Sequence, residues 1–392
     1  MIPYTEFSED ERKELLARRP EVLNSLLGNV CHIAAQDEPV LLVGAGYNGI
    51  WLEHNQDNLF LAEYAPDAAW ASQLLFMRTQ REDGLLAYHL PITRKNASYA
   101  QLQCVYPFAR CAFEIAKCTN RAVDDFRRIY DVAARYDAWM EKYRNRRGTG
   151  LVEMYCEYDT GHDNSPRVTD GGIPRCCPDR DAANMPDLPL MPVLSVDLSA
   201  MCYGNRIALA EIADYLGMPK EAVYWRSKAE KLQELIREHL YCAEDDYYYD
   251  VDSNGFRRYR TEHLTRLFLN EALSQEEFDR LYKKYFEDER HFMTAFPYPS
   301  VSVSDPHFNR ALPVNCWGSN TQALTSLRAL LWLKKYHRQD ECTALLRRWM
   351  RTFLEHPEEY RQELNPFTGT PIGDGKNYSP TLILYLEGLK VL

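Results

Sequence analysis

Apolar side chains recur every three to four positions along most of this chain, the spacing of a helix that buries one face. Residues 66–80 place Trp70, Leu74 and Met77 on one side, and residues 105–117 and 123–143 follow as a pair. Residues 205–216 carry Ile207, Leu209, Ile212 and Leu216 and stop at Gly217, a suitable C-cap. Residues 221–240, 320–336, 341–354 and 379–389 repeat the pattern. Strand signals are few. Residues 247–250 and 256–259 flank Asn254-Gly255, which predicts one small hairpin in a loop between helices. Two long loops, 159–196 and 292–315, are rich in Pro, Asp and Asn. Strands do not alternate with helices, so a doubly wound sheet is excluded. No linker, low-complexity tract or fixed-period repeat divides the chain. The pattern predicts one all-α domain over residues 1–392, a toroid of about twelve major helices in two layers. More than half of its residues should be helical.

Composition narrows the ligand. The 392 residues include 26 Tyr, 15 Phe and 7 Trp. Aromatic faces suit the apolar C–H faces of sugars, although a Tyr-rich core accounts for them equally well. The net charge of −11, with no Lys/Arg block, disfavours nucleic acid, whose binding rests on cationic contacts. A small, weakly charged molecule fits better. No apolar run approaches the ~18–20 residues that span a bilayer, and residues 1–19 lack a secretory h-region. Eleven scattered cysteines do not form a disulfide framework. These features together predict a cytoplasmic protein with no membrane partner.

Four segments could carry chemistry. The richest runs Glu157-Tyr158-Asp159-Thr160-Gly161-His162-Asp163-Asn164-Ser165-Pro166-Arg167. Crowded carboxylates raise one another's pKa, as a general acid requires near neutral pH. A helix cap followed by a solvated acidic loop is the plainer account. The second is Asn315-Cys316-Trp317-Gly318-Ser319-Asn320-Thr321-Gln322, in which Trp317 is placed to stack on a sugar. The third, residues 361–369, sets Gln362 and Glu363 before a Pro/Gly turn. The fourth, residues 51–58, holds Trp51, His54 and Asp57. Gly44-Ala45-Gly46-Tyr47-Asn48-Gly49 matches G-x-G-x-x-G, but the dinucleotide fold it would require does not follow. The histidines show neither H-x-x-x-H nor H-E-x-x-H spacing, so no zinc site is expected.

Residues 158–167 resemble the E-[ST]-G-x-D-N-S-P-R segment of mannosylglycerate-hydrolase-like glycoside hydrolases, relatives of processing α-glucosidase I and trehalase. The resemblance continues through Gln103 and Pro107, the Trp317-Gly318 loop and Asn365-Pro366-Phe367-Thr368-Gly369. It implies an (α/α)6 barrel and cofactor-independent, inverting hydrolysis. It also implies that Asp163 is the general acid and that Asp159, where a Glu is usual, contacts sugar hydroxyls. Gln362, an amide, stands where the family carries its general base, and Glu363 adjoins it. Glu363 is the expected base, with Asp159 and Asp57 as alternatives. Asn164, Arg167, Trp317, His54, Trp51, Asp57, Gln103 and Gln362 complete the expected substrate contacts. The rival functions are a sugar epimerase or isomerase on the same toroid, which would use facing histidines, and a non-hydrolytic sugar-binding homologue.

Overall fold

Helix accounts for about 48% of the chain in the computed structural model, which describes residues 6–312 and 317–392. That is just under the expected half. Fourteen α-helical segments occur among the described residues, only eight of them with eleven residues or more. The contacts divide the chain into two compact units that alternate along the sequence. The first comprises Met1–Cys31, Leu41–Asn48 and Gln275–Leu392; the second comprises His32–Val40 and Gly49–Ser274.

The second unit is organised around the helix Val196–Tyr215, which packs against Phe108–Cys118, Val123–Tyr143, Pro219–Leu240 and Leu264–Leu269. Surrounded in this way, it is buried on nearly every side, polar residues included. It therefore starts nine residues before the apolar period suggests. Asp197, Ser199 and Asn205 interrupt the apolar stripe yet lie inside. Ser195 caps it by accepting from the Leu198 N–H.

A four-stranded antiparallel sheet in this unit runs Gly255–Phe256, Val251–Asp252, Val193–Leu194, Glu153–Met154. The expected hairpin is real but shifted. Ser253 and Asn254 form its two-residue loop, Gly255 pairs with Asp252, and Tyr247–Tyr248 pair instead with Tyr241–Cys242.

The first unit opens with two helices, Glu9–Ala17 and Arg19–Gly28, which the apolar pattern did not indicate. Their surfaces are strongly charged, which weakens the period. The start is nonetheless marked, because Ser8 and Glu11 form a reciprocal capping box. Val22 and Leu26 are fully buried, and Arg19–Gly28 packs on the helix Ser379–Leu389. That helix packs in turn on Gln339–Glu355 and Ala323–Lys335. Gly388 permits the close approach: a Cβ there would lie 2.3 Å from the Met350 sulfur. Thr321–Gln322, Glu363–Leu364 and Pro371–Ile372 form a three-stranded antiparallel sheet. No helix among the described residues is long and apolar enough to cross a membrane.

Candidate active site

In the second unit, Glu157–Thr160 makes one 3-10 turn and ends at Gly161, whose φ of 73° is left-handed. Gly161 is needed for space as well as for φ. A Cβ there would fall 2.3–2.5 Å from the Glu53 carboxylate. Buried Glu53 accepts a 2.9 Å hydrogen bond from Gln103 Nε2, and Gln103 accepts one of 2.7 Å from Gln101. On the far side of the turn, Asn164 is also left-handed (φ 61°), and its N–H donates to Glu157 Oε1 at 2.7 Å. Asp163 is half-buried and Asn164 exposed between these fixed points. The Tyr158 hydroxyl titrates above its ordinary value, through burial and then through the nearby charge of Asp163.

The residues flanking Asp163 are clamped from below. Arg167 is buried and forks onto Asp250 with bonds of 2.7 and 2.9 Å, while its third nitrogen reaches Asp197 at 2.9 Å. Burial alone would raise the Asp250 pKa; Arg167 outweighs it and holds Asp250 below the usual carboxylate range. His162 is buried between Arg167, 3.0 Å from Nδ1, and Glu262, 2.5 Å from Nε2. Arg266 approaches the same Nε2 at 2.8 Å. Arg266 also donates to Glu262. Against the effect of burial, Arg266 and His162 hold Glu262 well below the usual range. His263, one residue on, is depressed to about 4 by burial and the Arg167 charge. Its two nitrogens face the Thr261 hydroxyl and the Tyr248 carbonyl.

Three expected substrate contacts are corrected by this geometry. Asp159 is fully buried, and its oxygens are taken by an Arg144 fork and by the N–H groups of Leu102, Tyr155 and Cys156. It holds the turn and has no lone pair left for a sugar or a water. Arg167 is equally committed to Asp250 and Asp197. Asp57 is buried beneath His54, 2.9 Å from Nδ1, and also accepts from Gln56. It orients an imidazole and is not placed as a base. His54 and Trp51 are partly exposed, and Trp51 packs on His89 with centroids 4.1 Å apart and the rings tilted by 33°.

In the first unit, the Asn365-Pro366-Phe367-Thr368-Gly369 run is a tight connection between two strands. The Asn365 side chain accepts from the N–H groups of Phe367 and Thr368, and Gly369 N–H returns to the Asn365 carbonyl. This turn fixes the register that sets Glu363 opposite Ile372, and on its other edge the same strand sets Glu363 opposite Gln322. Glu363 is buried and accepts from Asn320 Nδ2 at 2.6 Å and from Gln322 Nε2 at 3.0 Å. It lines a cavity of about 150 Å³ with Tyr47, Gln362 and Asp374. Gln362 accepts from the Tyr47 hydroxyl at 2.6 Å. Trp317 is only 3% exposed, so it is buried rather than displayed as a stacking platform. Asn315 and Cys316 of the same segment lie outside the described residues.

Glu53, Glu157 and Tyr47 fall inside the segments quoted from the sequence but were given no role there. The left-handed φ of Gly161 and Asn164 falls on residue types that favour it, but the sequence does not show that Glu53 and Glu157 meet at this turn. Cys156, Asp159 and Cys177 bring ligand atoms within 4.8 Å of one another. Arg144, paired with Asp159 and 3.6 Å from the Cys177 sulfur, already supplies the positive charge there, so the cluster does not suit a metal ion.

A GH63 mannosylglycerate hydrolase from Thermus thermophilus, solved with glucose, superposes with a TM-score of 0.73 at 17% identity, over 94% of this chain and 99% of that one. Neutral trehalase Nth1 from Saccharomyces cerevisiae superposes with a TM-score of 0.68 at 13% identity, over 90% and 74%. A rhamnosidase from Klebsiella oxytoca gives 0.61 at 12% identity, over 98% and 65%. An uncharacterized protein of Borreliella burgdorferi is 25% identical over 115 residues; the chain spans about a quarter (24%) of the length of that curated relative. The structural likenesses define the fold class, the (α/α)6 barrel. Residues 57–381 match the mannosylglycerate hydrolase MGH1-like glycoside hydrolase domain, and the chain belongs to this glycoside hydrolase family.

Proposed function

We propose that the enzyme hydrolyses an α-linked glycoside or small oligosaccharide with inversion, Asp163 acting as general acid and Glu363 as general base. Asp163 protonates the leaving oxygen while Glu363 takes the proton of the attacking water. The carrying observation is the contrast within residues 157–167. Glu157, Asp159, His162 and Arg167 are buried, whereas Asp163 is half-buried and Asn164 exposed. Glu363 is the supporting observation from the first unit, because it lines a cavity rather than a filled core. Asn164, Gln103, His54, Trp51 and Gln362 are assigned to sugar hydroxyls and ring faces. The substrate is a small carbohydrate, in keeping with the glucose found in the Thermus enzyme.

The test is a panel of α-glycosides with products followed by proton NMR. The expected first product has the opposite anomeric configuration to the substrate. A retained anomer would sink the inverting mechanism. The non-hydrolytic alternative is favoured by one observation, the amide of Gln362 at the family's base position. It predicts sugar binding without product on the same panel. An epimerase lacks support: His162 and His263 are buried and engaged at both ring nitrogens.

A further inference from the structure

We propose that Tyr47 is a positioning residue for Glu363, acting through a one-way relay of amides. The proposal rests on Glu363 being the water-activating base. It begins with the Gly-rich loop that the sequence set aside. Gly44 abuts the Asn377 carbonyl and Gly375 abuts the Ala45 carbonyl, so that residues 44–47 and 373–377 pack backbone to backbone. This contact carries Tyr47 into the cavity that Glu363 and Gln362 line.

The Tyr47 hydroxyl donates to Gln362 Oε1 at 2.6 Å. The direction is set from the carboxylate end: Glu363 only accepts, so Gln322 must turn its NH2 to it and its carbonyl to Gln362, which leaves the Gln362 carbonyl to accept from the Tyr47 hydroxyl. The Gln362 NH2 donates to Gln322 Oε1 at 3.4 Å, the longest link. The Gln322 NH2 donates to Glu363 Oε1 at 3.0 Å, with Asn320 donating to Oε2 at 2.6 Å. Every link points from donor to acceptor and ends on the carboxylate. Both carboxylate oxygens therefore carry a donor, which holds the group in one orientation. A flipped Gln322 would turn its carbonyl oxygen on the carboxylate instead. The relay also gives Gln362 a role that a second carboxylate could not fill, since a carboxylate has no NH2 to pass on.

The experiment pairs kinetics with NMR on the full chain. Tyr47→Phe keeps the ring and removes the donor. Its kcat should fall about fivefold to tenfold, the scale of one hydrogen bond, with KM within twofold. In a Gln362→Ala background the same change should cost nothing further, because the relay is already cut. Side-chain amide spectra of 15N-glutamine-labelled protein should show the Gln322 NH2 signals moving in Tyr47→Phe. Equal kcat losses in both backgrounds, or unmoved Gln322 signals, would overturn the relay. A wild-type chain that turns over no glycoside would instead defeat the hydrolytic assignment, and the NMR arm alone would then decide the relay.

Discussion

Two carboxylates of this hydrolase are held in opposite ways. Asp163 sits above a buried cluster of full charges: Arg167, Arg266, Asp197, Asp250 and Glu262. Glu363 sits among neutral amides, with Asn320 and Gln322 as its donors. The first arrangement is stiff and costly to disturb, because removing one ion strands another in a low-dielectric interior. The second exchanges neutral hydrogen bonds, which are individually weak and adjustable. Rigidity near the proposed acid and tunability near the proposed base are thus built from different chemistry.

The sharpest break of this comparison is in stability. Arg167→Leu should destabilise by about 3–5 kcal/mol, as for other buried ion pairs that lose one partner, while Gln322→Leu should cost about 1 kcal/mol. Urea unfolding of both variants measures the difference, and equal losses would erase the distinction. In catalysis the two carboxylates should behave alike. Asp163→Asn and Glu363→Gln should each lower turnover at least ~10²-fold with normal melting. A Glu363→Gln enzyme at full rate would remove that residue from the mechanism.

A pH test comes next. The folded pKa of His263, about 4, lies below the ordinary 6.5. Its neutral form is favoured by folding, so its contribution is complete above pH 6.5 and is lost as pH falls towards 4. Stability should decline across that window by up to about 3 kcal/mol, and His263→Gln should flatten the decline. An unchanged slope would show that other groups set it. A further stability effect is expected at Gly161. Gly161→Ala must adopt a left-handed φ and displace the Glu53 carboxylate, which should cost roughly 1–2 kcal/mol, readable as a lowered Tm.

Much of this was legible beforehand because helix periodicity is local. Helices 123–143 and 379–389 need only their own residues to be read. The helix Val196–Tyr215 is where such reading stops, since its buried polar residues make sense only against their partners. The same limit applies within the site. The D-N-S-P-R pattern marks Asp163, yet sequence alone cannot tell a half-buried Asp163 from a buried Asp159 four residues earlier. What separates them is Arg144, fifteen residues away from Asp159, and the three N–H groups that fill its lone pairs. Asp57 was misjudged for the same reason, its partner His54 being visible but not its burial.

The interleaving of the two units bears on how the chain is made. The second unit is drawn almost wholly from Gly49–Ser274 and can close while synthesis continues. The helix Arg19–Gly28 emerges early but packs on Ser379–Leu389, which leaves the ribosome hundreds of residues later. Val22 and Leu26 thus meet this packing partner only late in translation. Glu363 enters its sheet only when that last stretch arrives, so a nascent chain that already carries Asp163 still lacks the proposed base.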